Sequence, residues 1–369
     1  MSQVLKYKEV FGKILESKLP FVLYKKPEEE DVYGFIQKDV NIWFVQDFEK
    51  DQGFVFSPYE GEEEKILLKS DARLTFEMDD LDISTAYKGM NVQGLFNDSV
   101  VAPDTEADKQ KHINVVNKAI DSLKKGEIDK VVLTRAELWK AGKVNFSAIY
   151  RDLVNTYDDA FVYIWFHPMV GMWIGATPEL LIEKDDNYIH STAIAGTRKY
   201  NNAEDSVIEW GSKELQEQKI VSDYIVEVFE KNLMTSIREF GPETIHAGKV
   251  EHLKTDITGE MSESTNFNYL IGSLHPTPAV GGVPLKKAKQ FIKDNEGHRR
   301  DFYTGFLGEL NIDNHTELYV NLRCLQVVRD GVKFFVGGGI TEDSLAESEW
   351  EETVNKSNTL KDIVLNHLS

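Results

Sequence analysis

The sequence predicts an α+β protein with a largely antiparallel sheet system and helices packed outside it. Hydrophobic residues make up 41% of the 369 residues and aromatic residues 11%, which is typical of a large folded core. From about residue 130 onwards, many short β-branched and aromatic runs lie close together in sequence, and only a few amphipathic helical segments separate them. Closely spaced strands favour antiparallel pairing over parallel crossovers.

The first part of the chain, residues 1–104, is expected to form one helix followed by several strands. The apolar stripe of the helix extends from Val4 to Leu15 at helical spacing. Three runs rich in aromatic and β-branched residues predict strands at 21–24, 33–36 and 42–45.

Residues 105–369 are expected to alternate strands with helices. A polar connection over 97–108 precedes a helix that Thr105 or Asp108 caps and that ends near Gly126. The predicted strands are 130–138, 160–166, 171–176, 180–184, 189–194, 304–311, 316–328 and 332–337. The predicted helices are 146–156, 205–232, 265–274, 284–296 and 343–367.

Charge and composition exclude several classes of function. The net charge of −20 disfavours nucleic acid and anionic membranes as partners. An anionic substrate would need local positive charge or a metal ion at its site. Cys324 is the single cysteine, so no intramolecular disulfide forms. Residues 1–19 contain no apolar leader, and no apolar run is long enough to cross a bilayer, so a cytoplasmic enzyme is expected.

A glycine-rich segment followed by spaced carboxylates is the strongest local signal. Gly337, Gly338 and Gly339 follow a strand and predict a turn with exposed backbone N–H groups, which suit an anion. Glu349 and Glu352 follow at helical spacing on one face and are candidate ligands of a hard divalent cation. The alternative is a solvated acidic helix face.

Lys130 and Glu217 are further candidates, each with a structural alternative. Lys130 is the first residue of a strand rich in β-branched residues. Either burial lowers its pKa so that it can act as a base, or it lies at the strand edge and its ammonium reaches solvent. Glu217 lies four residues before Val221 in an apolar helical stripe, and Glu214 lies one turn earlier. These acids either bind a metal or lie at a solvated helix end.

Three strand ends and one loop complete the candidates. Glu179 lies in a turn before an apolar strand, where an acid is usually solvated, and Gly196 ends another strand. Arg323 lies within an apolar strand, so it needs either an internal carboxylate or an anionic ligand. The proline-rich loop 275–282 is too constrained for a plain linker.

Together these segments resemble the chorismate-utilising enzymes, which include isochorismate, salicylate, anthranilate and aminodeoxychorismate synthases. The motifs cover about residues 105–369 in family order: KVVLTR, TPELL, IAGTR, LHPTPAVGG, DFYTGFLG, LYVNLRC, GGGI and EWEETVNK. The resemblance implies one compact fold of two large, mostly antiparallel sheets with peripheral helices, to which residues 1–104 add strands.

The resemblance also implies roles for individual residues. Lys130 is similar to the base that activates water, and Glu179 to the acid at the leaving C4 hydroxyl. Glu217 and Glu352 resemble Mg²⁺ ligands, with Glu214 and Glu349 nearby. The residues implied in substrate binding are Ala195, Gly196, Thr197, His252, Tyr303, Arg323, Gly338 and Gly339. Glu217-Gln218 departs from the glutamate–histidine pair that is common in the family.

Two positions indicate which reaction to expect. Ala195 stands where aminodeoxychorismate synthases carry a lysine nucleophile, and Lys130 stands where anthranilate synthases carry glutamine. The resemblance therefore implies a Mg²⁺-dependent isomerase that makes isochorismate from chorismate, without an amidotransferase subunit and as a monomer. A salicylate synthase and a non-catalytic carboxylate binder stay open as alternatives. The sequence does not separate menaquinone from siderophore biosynthesis.

Overall fold

The computed structural model of the chain describes residues 7–61, 63–77, 106–199, 209–247 and 250–369. Within these ranges the helices are α1 Tyr7–Ser17, α2 Glu106–Lys124, α3 Phe146–Thr156, α4 Ser212–Lys231, α5 Phe267–Leu274, α6 Leu285–Asn295 and α7 Ala346–Val364. The strands up to the middle of the chain are β1 Phe21–Lys25, β2 Asp31–Ile36, β3 Gly53–Ser57, β4 Ile66–Leu68, β5 Ala72–Glu77, β6 Lys130–Lys140, β7 Phe161–His167, β8 Gly171–Thr177 and β9 Leu180–Asp185. The later strands are β10 Tyr188–Lys199, β11 Thr235–Ala247, β12 Val250–Glu260, β13 Gly282–Val283, β14 Phe306–Ile312, β15 His315–Val320, β16 Cys324–Val328 and β17 Gly331–Ile340.

The strands form two large sheets. The first has nine strands in the order β13-β6-β17-β16-β8-β7-β1-β2-β5, and the second has eight in the order β11-β12-β10-β9-β15-β14-β3-β4. Each adjacent pair of these strands is antiparallel. The predicted α+β class with two mostly antiparallel sheets is confirmed.

Strands from the start of the chain belong to both sheets. β1 pairs with β7 and β2 in the first sheet, whereas β3 pairs with β14 in the second. The early strands therefore complete sheets whose other members come from after residue 105. The boundary at residue 104 stays a prediction.

Apolar packing fills the space between the sheets and covers their outer faces. Aromatic side chains of β1, β7 and β8 meet those of β3 and β15 in an inner layer that includes Tyr24, Phe54, Trp165, Trp173 and Tyr319. Helices α1 and α3 pack on the outer face of the first sheet, and α4 and α5 pack on the second. Ionisable groups that enter this interior lose water, which shifts their pKa values.

Several predicted helices agree with the structure. Their observed ends differ from the predicted ones where a capping residue or a break in the helix sets the boundary. Helix α3 has the predicted bounds, and α2 ends just before Gly126, whose φ is +69°. Helix α4 begins at Ser212, later than predicted, because residues 209–211 are extended and Gly211 is its N-cap. Thr105 and the part of the 97–108 connection before residue 106 lie outside the described residues, as do Val4 and Leu5.

Three strand predictions were wrong. The run 316–328 is two strands, β15 and β16, because the chain leaves the second sheet at Asn321 and enters the first at Cys324; Arg323 between them has φ +45°. Residues 42–45 form no named strand, and only Phe44 makes an isolated bridge, to Ile66. The long hairpin of β11 and β12 was not predicted: the residues of β11 are mostly exposed and lack a clear apolar alternation, although those of β12 are mostly buried.

The predicted glycine turn was also wrong. Gly337, Gly338 and Gly339 lie inside β17 and pair with Thr134, Leu133 and Val132 of β6. None of the three is among the glycines with positive φ. Since β16 pairs with β17 only as far as Phe334, the glycine stretch is paired on the β6 side alone and its other edge is open. Helix α7 begins six residues beyond Ile340.

A buried ion pair ties β6 to the proline-rich loop. Arg300 donates to both carboxylate oxygens of Glu296 at 2.7 and 2.8 Å, and also to the carbonyls of Val280 and Val132. Glu296 in turn accepts from the backbone N–H of Thr134 at 2.6 Å. The pair is almost fully buried, so each ion depends on the other for its solvation.

We predict that Arg300→Met destabilises the protein by about 3–5 kcal/mol, because it leaves the Glu296 carboxylate buried without a counter-ion. The neighbouring Arg299→Met is the matched control: its side chain is 73% exposed, so its ion pairs with Glu63 and Asp301 contribute about 0–1 kcal/mol. Urea unfolding of the two variants measures the difference. Equal stabilities would contradict the structural importance of the pair.

Candidate active site

A cavity of about 150 Å³ collects most of the predicted site residues. Strands β6, β10, β12 and β17 and helices α4 and α7 contribute to its wall. The predicted residues that line it are Lys130, Glu179, Ala195, Gly196, Thr197, Glu217, His252, Tyr303, Arg323, Gly339 and Glu352. The three that do not line it are Gly338, Glu214 and Glu349.

Lys130 is a buried lysine at the first position of β6. Its residue is 2% exposed, and its backbone faces Val283 of β13, so it does not lie at a solvated sheet edge. Burial lowers the pKa of its ammonium, and the nearby Glu217 opposes the shift. A Cβ added at Gly339 would lie 3.2 Å from Lys130 Cε, so the glycine allows the close approach of the lysine side chain to β17.

Glu179 is a buried acid, not the solvated turn residue that such positions usually hold. It is 3% exposed, and its Oε1 has no hydrogen-bond partner among the described residues. Burial raises the pKa of its carboxyl to about 8, although Lys130 acts in the opposite direction. Glu179 is therefore protonated at neutral pH and has a proton to donate.

Arg323 forms no ion pair with any carboxylate in the described ranges. One of its terminal nitrogens lies 3.2 Å from His252 Nε2, and His252 Nδ1 lies 3.1 Å from the carbonyl oxygen of Gly196. Since that carbonyl only accepts, Nδ1 carries the proton and Nε2 accepts from the guanidinium. Burial, together with Arg323, lowers the pKa of His252 to about 3, so the imidazole is neutral. Of the two alternatives left open by the sequence, an ion pair with a carboxylate is absent from the described residues, which favours an anionic ligand.

Two carboxylates of α7 converge next to Gly338. A Cβ added at Gly338 would lie 3.5 Å from Glu352 Oε1 and 3.7 Å from Glu349 Oε2. Glu349 is 2% exposed, its Oε2 has no partner within the described part of the chain, and burial together with Glu352 raises its pKa. Glu217 Oε1 would lie 3.5 Å from a Cβ at Gly339, which places a third carboxylate beside the same stretch of β17.

Two lysines that the sequence analysis did not assign to the site hold these carboxylates. Lys356 Nζ lies 2.7 Å from Glu352 Oε1, and Lys213 Nζ lies 3.3 Å from Glu349 Oε1. Burial acts to raise the pKa of Glu352, but Lys356, Lys213 and Lys130 together outweigh it and the net shift is downward. The i,i+4 spacing of Glu352 and Lys356 was a signal for the first contact. The second joins α4 to α7 and has no local signal.

The donor set suits an oxygen-preferring divalent cation. The converging groups are all carboxylates, and one buried oxygen of Glu349 lacks a partner, which a cation would supply. Glu214 is turned towards its own helix start instead: a Cβ at Gly211 would lie 2.5 Å from its Oε2. Among the described residues the group with three ligand atoms within 4.8 Å of one another is Glu309, His315 and Glu317. There, however, Lys26 binds both carboxylates at 2.6 and 2.9 Å, and its ammonium takes the place of a metal.

Comparison with known proteins decides the family. A family model described as chorismate binding enzyme matches residues 70–365. The chain belongs to the chorismate-binding enzyme family. This membership accounts for the order of the motifs in the sequence. Separately, none of the described helices is long and apolar enough to cross a membrane.

Relatives in the chorismate-binding family carry more than one activity. Isochorismate synthase MenF of Bacillus subtilis is 30% identical over 262 residues, which are 69% of this chain and 55% of that protein. Anthranilate synthase component 1 of Aquifex aeolicus is 28% identical over 261 residues, 68% of this chain and 52% of that protein. The matched region thus spans little more than half the length of these relatives.

The family fold is confirmed by a solved structure. The menaquinone-specific isochorismate synthase MenF of Escherichia coli matches with a TM-score of 0.75 at 20% identity, covering 94% of this chain and 88% of that one. The predicted chorismate-utilising fold of two large sheets with peripheral helices is therefore correct.

We predict that Glu179→Gln stabilises the protein increasingly as pH rises. The folded-state pKa of Glu179 is raised from 4.5 to about 8, so the stability that its protonated form contributes is full below pH 4.5 and is lost as pH rises through 8. The stability gain of the variant over wild type should therefore grow by up to about 1.4 kcal/mol per pH unit between pH 5 and 8.

Urea unfolding at several pH values tests this, with Glu127→Gln at an exposed position as the control. A pH-independent difference between the Glu179 variant and wild type would show that the carboxyl is not held protonated.

Proposed function

We propose that the chain is an isochorismate synthase. In this reaction water adds at C2 of chorismate and the C4 hydroxyl departs. The observation that carries the proposal is the pairing, in one cavity, of a buried lysine whose pKa is lowered with a buried glutamate whose pKa is about 8. Pure binding needs no such pair, which disfavours the non-catalytic alternative.

The two buried groups have the opposite protonation tendencies that the reaction requires. Burial increases the share of Lys130 in its neutral form, and this form would take a proton from water as the new bond forms at C2. Glu179 donates its proton to the departing C4 hydroxyl. Both shifts arise mainly from burial, which disfavours the charged form of an acid and of a base alike.

Arg323 on the cavity wall supplies positive charge for a substrate carboxylate. Arg323, which forms no ion pair with a carboxylate in the described part of the chain, suits the pyruvyl carboxylate, with Tyr303 and Gly339 of β17 on the same cavity wall. His252 and Thr197 are linked at 3.2 Å and lie with Ala195 and Gly196 on the wall assigned to the ring. The Arg323 guanidinium supplies local positive charge in a chain with net charge −20.

Glu217 and Glu352 would hold Mg²⁺, supported by Glu349, whereas the Glu214 carboxylate is directed towards Gly211 at the start of α4. When bound, the ion supplies positive charge at the ring carboxylate. Lys213 and Lys356 form ion pairs with Glu349 and Glu352. Binding of the ion would replace these two contacts with contacts to the metal.

Three features support water as the nucleophile. Ala195 offers no amine to attack the ring, Lys130 replaces the glutamine of ammonia-using members, and the B. subtilis and E. coli proteins carry the isochorismate synthase name. Salicylate synthase is the alternative, because it shares the acid and base and adds pyruvate elimination. No described residue of this site points to that further step. We also infer a single domain that acts as a monomer in the cytoplasm, without an amidotransferase subunit.

We predict that chorismate and Mg²⁺ give isochorismate, and that excess ammonium adds no anthranilate or amino adduct, since the base acts on water. Chromatography of the products checks this. Release of pyruvate and salicylate at the rate of chorismate loss would replace this proposal with salicylate synthase, and anthranilate would replace it with the ammonia-using reaction.

We predict that the acid–base and metal residues fail in different ways. Lys130→Ala should lower kcat by about 10²–10⁴-fold at an unchanged Mg²⁺ requirement, because it removes a general base. Glu179→Gln should likewise lower kcat at an unchanged Mg²⁺ requirement. Glu217→Ala and Glu352→Ala should instead raise the Mg²⁺ concentration that activity requires.

Initial rates over a Mg²⁺ series measure both effects, with Lys140→Ala at the exposed end of the same strand as control. The same Mg²⁺ dependence in all four variants would contradict this division of roles.

A further inference from the structure

A second cavity, of about 340 Å³, lies apart from the catalytic one and shares no lining residue with it. Its wall is built by α2, the middle of β6, the segment 296–299 and the adjoining β16 and β17. The residues that the argument uses are Lys111, His112, Arg135, Lys333, Leu138 and Val328.

The cavity is lined by more basic than acidic side chains: Lys111, Arg135, Arg299 and Lys333 stand against Asp108 and Glu296, and Glu296 is already bound by Arg300. Its arginines are compensated, Arg135 by Glu137 at 2.7 Å and Arg299 by Glu63 at 2.9 Å. Lys111 and Lys333, in contrast, form no ion pair in the described part of the chain; Lys333 Nζ lies instead 4.8 Å above the ring of Phe335. Lys111 and Lys333 thus place two ammonium groups without an ion pair beside one cavity, and they suit an anionic ligand.

A buried polar atom adds a second, independent indication of a ligand. His112 is 7% exposed, lines this cavity, and its Nε2 has no hydrogen-bond partner within the described ranges. A buried nitrogen without a partner costs free energy, which a ligand oxygen or hydroxyl would recover. The walls at Val115, Leu138 and Val328 are apolar, so the cavity fits an anion with an apolar body better than a bare ion.

The same residues contact the helix that carries the catalytic carboxylates. Arg135 donates from Nε to Thr353 Oγ1 at 2.7 Å, and its guanidinium lies 4.3 Å above the ring of Trp350. The ring of His112 lies 5.8 Å from that of Trp350. Trp350 and Thr353 flank Glu352 on α7, so an occupant between α2 and β6 acts on the position of that helix.

We propose that this cavity is a second binding site for a small organic carboxylate, held by Lys111, Lys333 and His112, and that its occupancy is linked to α7. The ligand is an effector and not the substrate, since none of the groups assigned to the reaction lies here. Because linkage is reciprocal, a metal ion at the α7 carboxylates and an occupant of this cavity alter each other's affinity.

The test uses benzoate as the organic carboxylate and inorganic phosphate as the bare anion. Each is titrated into the full chain by calorimetry, and hydrogen exchange measured by mass spectrometry locates the binding. We expect benzoate to protect amides of 106–124 and 331–336, and also of α7. The double variant Lys111→Gln, Lys333→Gln should bind benzoate about tenfold or more weakly, as expected when charge-assisted contacts are lost.

The matched control is Lys118→Gln with Lys140→Gln, which removes the same charge from exposed positions of α2 and β6 outside the cavity. Equal benzoate affinity in the two double variants would overturn the proposal, and so would protection confined to the catalytic cavity near residues 250–256. Phosphate binding as tight as benzoate would overturn the assignment of an organic carboxylate. None of these measurements uses turnover, so they stand whether or not the proposed reaction is correct.

Discussion

Removal of water from charged groups between the two sheets is the constraint on which the site depends. The aromatic layer excludes solvent, and the ionisable side chains at its edge must be neutral or paired. Lys130 and Glu179 respond by shifts of pKa, His252 stays neutral, and Arg300 forms an ion pair with Glu296. One physical cause thus shifts the pKa values of a lysine, a glutamate and a histidine that line a single cavity.

The sequence predicted the elements whose signals are local and periodic. Helix α3 has an unbroken apolar stripe and an Asn145 cap, and its bounds were correct. The β15–β16 break was not predicted, because Val320, Leu322 and Cys324 continue the apolar alternation of a single strand, while the change of sheet is decided by partners distant in sequence. For the same reason the Lys213–Glu349 contact between two helices had no signal in the sequence.

The glycine segment shows how one composition supports two structures. Consecutive glycines predict a turn when only backbone freedom is considered. In the folded protein they are strand residues, selected because a side chain would collide: a Cβ at Gly337 would lie 2.9 Å from the Leu133 carbonyl and 3.3 Å from the Tyr303 hydroxyl. Motif resemblance predicted that this segment lies at the site, and Gly337 and Gly339 line the cavity, whereas the local rule gave the segment the wrong conformation.

The sharing of both sheets by early and late strands also affects how the chain folds. Phe54 pairs beside Glu309, and Val22 beside Trp165, so neither sheet is complete until most of the polypeptide is available. Contacts between residues so distant in sequence require closure of long loops and slow the search for the native state. During synthesis the apolar strands β1 and β3 stay unpaired until their partner strands have been made. In that interval their apolar surfaces are open to aggregation and to binding by chaperones.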